Sequence, residues 1–376
     1  MRRLVLASSI LVLAQAWAGD TPRRSLDEIK KDLEAKGAHD PYVPAAPLGL
    51  DQEALQKAIP ANEPLTKAKV ELGRELYFDG RLSKDGTVSC ASCHSPSHGW
   101  GDPGRFSKGV GGKLGGRHAP TVLNRVFGKL QFWDGRAATL EAQALGPIEN
   151  PVEMADKLDD VVPRLDAIEG YKVQFEKVFG GPATKERIAL AIAAFERTVL
   201  SGNSRVDKDE EAARWKKADL DDASPEKKAI AKAAIEAAAK DPLSESERRG
   251  KAVFEGKANC SLCHLGHNYT DEDFHNLGVD GNEGRFAVTK EEKDWGRFKT
   301  PTLRGLVGRE PYMHDGSEAT LEAVVDFYDK GGGVGAKNLS HRLKPLQLTK
   351  EEKADLVAFL KALSGEQTKV EPPKLP

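Results

Sequence analysis

Sulfur is in short supply in this chain: 376 residues hold four cysteines and three methionines. Neither charge sign is in excess, with 56 Lys+Arg against 58 Asp+Glu and a net of −2. That balance gives no electrostatic case for nucleic acid, whose binders carry a basic surplus. Long hydrophobic runs are missing too, and none approaches the roughly 18 residues of a spanning helix, which excludes a multi-span membrane protein. What remains is ordinary globular material, 39% hydrophobic and 30% charged, enough to bury cores and too apolar for global disorder. At about 150 residues per domain, the length carries a prior of two to three domains.

The first residues read as a leader. Arg2 and Arg3 form a basic start, Leu4 to Ala16 is largely apolar, and Ala16-Trp17-Ala18 is an A-x-A cleavage site. Export to the periplasm with cleavage after Ala18 is the expectation. A short membrane anchor is the alternative, but the apolar stretch is too short to span comfortably. No cysteine stands near the cut to carry a lipid. Loss of Arg2 and Arg3 takes the net charge from −2 to −4.

An exported chain with four cysteines would ordinarily be read as holding two disulfides. Here the spacing argues otherwise. All four fall in two copies of one pattern, Cys90-Ala91-Ser92-Cys93-His94 and Cys260-Ser261-Leu262-Cys263-His264. C-x-x-C-H is the attachment signature of c-type haem: the cysteines add across the vinyl groups and the histidine becomes the proximal iron ligand. One such pentapeptide can arise by chance or serve as a redox dithiol. Two that use every cysteine present predict two covalent haem c groups on Cys90, Cys93, Cys260 and Cys263, with His94 and His264 on the irons. Zinc or disulfide readings take second place.

The chain also repeats itself. Pro120-Thr121 is answered by Pro301-Thr302, 181 residues on, and at the same offset the nine residues from Trp133 share six identities with those from His314. Two copies of one small haem domain explain this. Residues 184–200 have helical apolar spacing, with Ile188, Ile192, Phe195 and Val199 on one face. Thr349 followed by Glu352 reads as a capping box opening a helix through Leu363. Glycine-rich stretches at 109–116 and 331–335 read as loops close to haem. No sustained alternation predicts a sheet. The expected fold is all-α, two tandem cytochrome c-like domains. The expected plan is a signal peptide (1–18), an N-terminal extension (19–64), a first haem domain (65–204), a solvated charged helical linker (205–245), a second haem domain (246–366) and a loose tail (367–376).

Function turns on the sixth ligand of each iron. With strong protein ligands on both, the protein only carries electrons; with one face open, that haem can react with peroxide. Met154 and Met313 lie 60 and 49 residues after their motif histidines, which keeps a di-haem electron carrier in play. Both can equally be core fillers.

The segments 72–94, 120–154 and 299–328 resemble the bacterial di-haem cytochrome c peroxidase/MauG family, and the similarity extends over residues 65–365. The resemblance implies that the first haem is the peroxidatic one, with Glu153 as distal acid–base carboxylate, Gln143 as distal glutamine and Trp133 as a relay between the haems. The second haem becomes the electron-transfer haem. Two departures from the peroxidase branch matter. Where that branch has a ligating methionine, this chain has Tyr328, as in the MauG branch, so Tyr328 is expected as the axial ligand and Met313 as a packing residue. The loop 107–116 lacks the displaceable distal histidine of peroxidases that need reductive activation. His98 is too near His94 to reach the opposite face, and His118 is the other candidate. His118 also replaces a family asparagine that helps bind calcium between the domains, so only backbone carbonyls near Arg309 and Pro311 speak for Ca2+. His314, at the repeat position of Trp133, is expected at the edge of the second haem. His267, His275 and His341 are expected to be hydrogen-bond partners, and His39 has no evident role.

The resemblance therefore implies a periplasmic H2O2-dependent oxidase of the MauG type that forms a high-valent iron species and oxidises a protein partner or electron donor. The alternatives are a conventional cytochrome c peroxidase, with small cytochromes or cupredoxins as donors, and a non-catalytic di-haem carrier. A homodimer accords with the family.

Overall fold

The computed structural model describes residues 23–376, so the expected leader lies outside the described residues. Helices dominate. The described strands are two short antiparallel pairs, Ser201–Gly202 with Glu366–Gln367 and Phe274–Asn276 with Arg297–Lys299.

Each half is built on a crossed helix pair in which one glycine sets the approach. In the first half, helix Lys67–Phe78 crosses helix Lys185–Glu196. A Cβ on Gly73 would stand 1.8 Å from the Ala191 carbonyl oxygen, so no larger residue fits at this contact. In the second half, Glu245–Glu255 crosses Lys350–Ala362, and a Cβ on Gly250 would stand 1.9 Å from the Asp355 carbonyl oxygen. Ile188, Ile192, Phe195 and Val199 are all buried in the first core, as their spacing predicts, beside Tyr77 and Trp100. Leu356, Phe359, Leu360 and Leu363 enter the second core. The Thr349–Glu352 capping box forms, closing two otherwise orphaned N–H groups.

The duplication is written into the backbone. Gln131 bridges Ala137 as Tyr312 bridges Glu318, each 181 residues on. Phe132 and Met313 share a left-handed φ, 65° and 71°. Thr139 and Thr320 cap the helices Leu140–Glu149 and Leu321–Asp329.

Two expectations are corrected. The segment 205–245 is not merely solvated: its helices Arg205–Lys217 and Pro225–Lys240 pack on each other, and Asp207 is buried against Arg304 at 2.8 Å. The stretch after Gly365 is not loose. It pairs with Ser201–Gly202, hydrogen-bonds Leu200 through Thr368, and offers main-chain oxygens of Glu371 and Pro376 to Arg74 and Arg81 at 2.7 and 3.1 Å. Gly331–Gly335 is a loop, as its composition predicts, and packs on cavity-lining Leu277 and on Gly278 through Gly333. The N-terminal extension is tied down as well: Ile29 and Leu33 are buried on the first half, Arg24 is ion-paired with buried Glu75, and His39 bonds the Leu33 carbonyl.

Candidate active site

Both C-x-x-C-H segments meet one cavity of about 760 Å³ that runs between the halves. Cys93, His94, Cys260, Cys263 and His264 line it, while Cys90 stands behind, against the first core. His94 Nδ1 lies 2.9 Å from the Pro120 carbonyl and His264 Nδ1 lies 3.0 Å from the Tyr269 carbonyl. A carbonyl only accepts, so each ring proton sits on Nδ1 and Nε2 keeps its lone pair for a metal. Burial holds both imidazoles below the ordinary histidine range, which keeps them neutral. Paired thiols, preset imidazoles and largely apolar walls fit two haem c groups.

In the first lobe the structure brings Glu153, Gln143 and Trp133 together on the cavity wall. Gln143 rides on helix Leu140–Glu149, and the turn that closes this helix aims Glu153: Asn150 Nδ2 donates to its Oε1 at 2.7 Å. Burial raises the Glu153 carboxyl, against the opposing pull of Arg136 and the Asn150 bond. The loop 107–116 lies against this turn. A Cβ on Gly109 would stand 2.2 Å from the Val152 oxygen, and Val110 N–H donates to the Glu153 carbonyl at 2.8 Å. The loop presents Ser107, Gly109, Gly115 and Gly116 to the cavity, and no imidazole. His98 is off the cavity, bonded to Ser97. His118 lines it, with Nδ1 on the Gly104 carbonyl at 3.1 Å. Met154 is 2% exposed, within the first core and off the cavity, so it is a packing residue.

Trp133 stands where the halves touch. Its Nε1–H donates to the His118 carbonyl at 2.8 Å, its own carbonyl accepts from Lys299 N–H at 2.8 Å, and its ring faces His314 at 6.3 Å between centroids. His314, its repeat counterpart, is stacked on Phe298.

The second lobe holds Tyr328, on helix Leu321–Asp329, together with Met313. Burial and the nearby Cys260 and Cys263 sulfurs push the Tyr328 phenol upward, so it keeps its proton unless a metal displaces it. His275 Nε2 lies 3.0 Å from Asp271 Oδ2, and the bonds to Asp271 and Cys263 push it up to about 9. His267 meets Phe127 edge-on and His341 is exposed.

Three buried ionisable side chains on the wall carry no role in the sequence reading. Glu196 has an unpartnered Oε2 and is pushed up to about 8 by burial. Burial lowers Lys299 to about 7, with its Nζ on the Leu130 carbonyl at 2.7 Å. Arg309 is 8% exposed and its Nη1 has no partner. The one sequence signal was a charge inside an apolar helical face, at Glu196.

A helical, duplicated fold with two haem-attachment motifs around one cavity defines a di-haem c-type oxidoreductase. Residues 67–213 match the family model for di-haem cytochrome c peroxidase, and 247–364 match that for cytochrome c. The chain is 42% identical to the methylamine utilization protein MauG of Methylorubrum extorquens, over 84% of each chain. It is 38% identical to the cytochrome-c peroxidase IdrP1 of Denitromonas iodatirespirans, over 85% of this chain and 87% of that one. A crystal structure of a MauG-like protein associated with microbial copper homeostasis superposes with a TM-score of 0.70 at 30% identity, covering 87% of this chain and 95% of the other. The chain belongs to the di-haem cytochrome c peroxidase/MauG family and is a haem peroxidase-type enzyme. Among the described residues no helix is long and apolar enough to cross a membrane.

Proposed function

We propose that this chain is an exported, periplasmic, peroxide-dependent oxidase of the MauG type, acting on a protein partner or electron donor. The observation that carries the reading is Tyr328 on the wall of the second lobe, beside Cys260 and Cys263, where an electron-carrying thioether ligand would otherwise be needed. The domain plan follows the sequence boundaries, with the linker and tail docked as described.

When bound, the haem irons supply the redox chemistry and the site for peroxide. The chain supplies proton handling and routing. Gln143 offers an amide to hold hydrogen peroxide by hydrogen bonds. Glu153 accepts a proton from one peroxide oxygen and delivers it to the other, so that water rather than hydroxide departs. Asn150 holds that carboxylate in place, and its burial raises its proton affinity toward that of a working base. The glycine-rich loop 107–116 brings no competing imidazole to this lobe. Trp133, bonded to both halves and facing His314, is the aromatic relay for the oxidising equivalents. Tyr328 would hold the second haem iron as an anionic phenolate, which would favour its oxidised states and lower its potential relative to a thioether.

Electron paramagnetic resonance of the ferric holoenzyme tests this. One high-spin and one low-spin haem, no thioether-to-iron absorption band, and reaction with peroxide without prior reduction are expected. A thioether band with a requirement for prior reduction would mean a conventional cytochrome c peroxidase. Two low-spin haems inert to peroxide would mean a carrier.

A further inference from the structure

The resemblance places a calcium ion between the haem domains, and the residues found there do not suit one. Calcium takes six to eight oxygen ligands, mostly carboxylates and carbonyls. Here an imidazole, His118, stands in place of the family asparagine, with the Arg309 guanidinium close enough to act on it. His118 has its Nδ1 on the Gly104 carbonyl. Arg309 threads its stem past Gly99 and Gly101 of the first half, where Cβ atoms would meet its Cβ and Cγ at 3.3 and 3.6 Å. Its Nη2 donates to the Thr302 carbonyl of the second half at 3.3 Å, so the side chain is held between the halves.

Arg309 is also the odd cation of the cavity. Arg117 and Arg136 pair with Asp134, Arg125 and Lys299 lie by Glu272, and Arg342 pairs with Asp271. Among the described residues Arg309 is the one buried cation on the wall with no carboxylate within ion-pair distance, and its Nη1 is buried without any hydrogen-bond partner. Burial lowers it to about 10, so it remains charged at neutral pH. A buried guanidinium demands an anion, and its planar fork matches a carboxylate.

We propose that the Arg309 guanidinium is the built-in interdomain cation of this protein, pairing with a haem propionate and making the enzyme independent of calcium. This rests on the di-haem assignment and not on the MauG-type reading, because neither readout below involves peroxide turnover.

The test uses the purified holoenzyme. Elemental analysis is expected to find sub-stoichiometric calcium, and neither a calcium chelator nor added calcium changes the ferric electron paramagnetic resonance spectrum. A positive charge beside a propionate favours the reduced haem, so Arg309→Gln lowers the midpoint potential of at least one haem while Arg309→Lys stays near the parent. One calcium per chain whose removal alters the spectrum overturns the proposal, as does Arg309→Gln with both potentials unchanged. If Arg309→Gln does not retain both haems, Arg309→Lys and the chelator experiment decide.

Discussion

Glu153 is defined by its surroundings more than by its type. A carboxyl raised by burial is a stronger base, yet it is inactive once protonated. Peroxide turnover should therefore fall as pH drops through a value above the roughly 4.3 of a free glutamate. Glu153→Gln is expected to keep both haems, lose that acid limb and slow turnover by about 10²–10⁴-fold, read by stopped-flow with peroxide. Normal turnover in this variant would remove the acid–base role. Tyr328→Met should raise the potential of the second haem and introduce the thioether band; an unchanged spectrum would show that Tyr328 is no ligand. Cys90, Cys93, His94, Cys260, Cys263 and His264 were legible in the sequence because covalent attachment fixes their spacing. Lys299 and Arg309 were not, because only the fold puts them in a shared cavity.

Among the elements, the helix crossings are the most demanding. Methyl groups at Gly73 or Gly250 would overlap carbonyl oxygens that the opposing helices hold rigidly. Gly73→Ala and Gly250→Ala should each cost about 1–3 kcal/mol or more, measured by chemical denaturation with haem content as control. A cost near zero would mean that the helices slide apart freely. Local signals suffice at this scale. The helix starting at Thr184 and the capping box at Thr349 depend only on near neighbours and appear as expected. The placement of Gly331–Gly335 depends on Leu277 and Gly278, some fifty residues away, and nothing local announces it.

For the whole molecule, the repeat at an offset of 181 residues showed that there would be two similar halves. It did not show what joins them. Asp207 leaves a charged, alanine-rich segment to meet Arg304, and the residues after Gly365 lie along the first half through Arg74 and Arg81. Such contacts have no periodic signature. Deleting residues 366–376 should cost about 2 kcal/mol or more, since several hydrogen bonds worth about 1 kcal/mol each are lost. An unchanged denaturation midpoint would show that this segment is dispensable.

The path of that segment also makes the two halves interdependent. Residues 366–376 follow the entire second half in the chain, yet they complete the packing of the first. The first half is therefore finished by residues from the far end of the chain, and neither half is whole without the other.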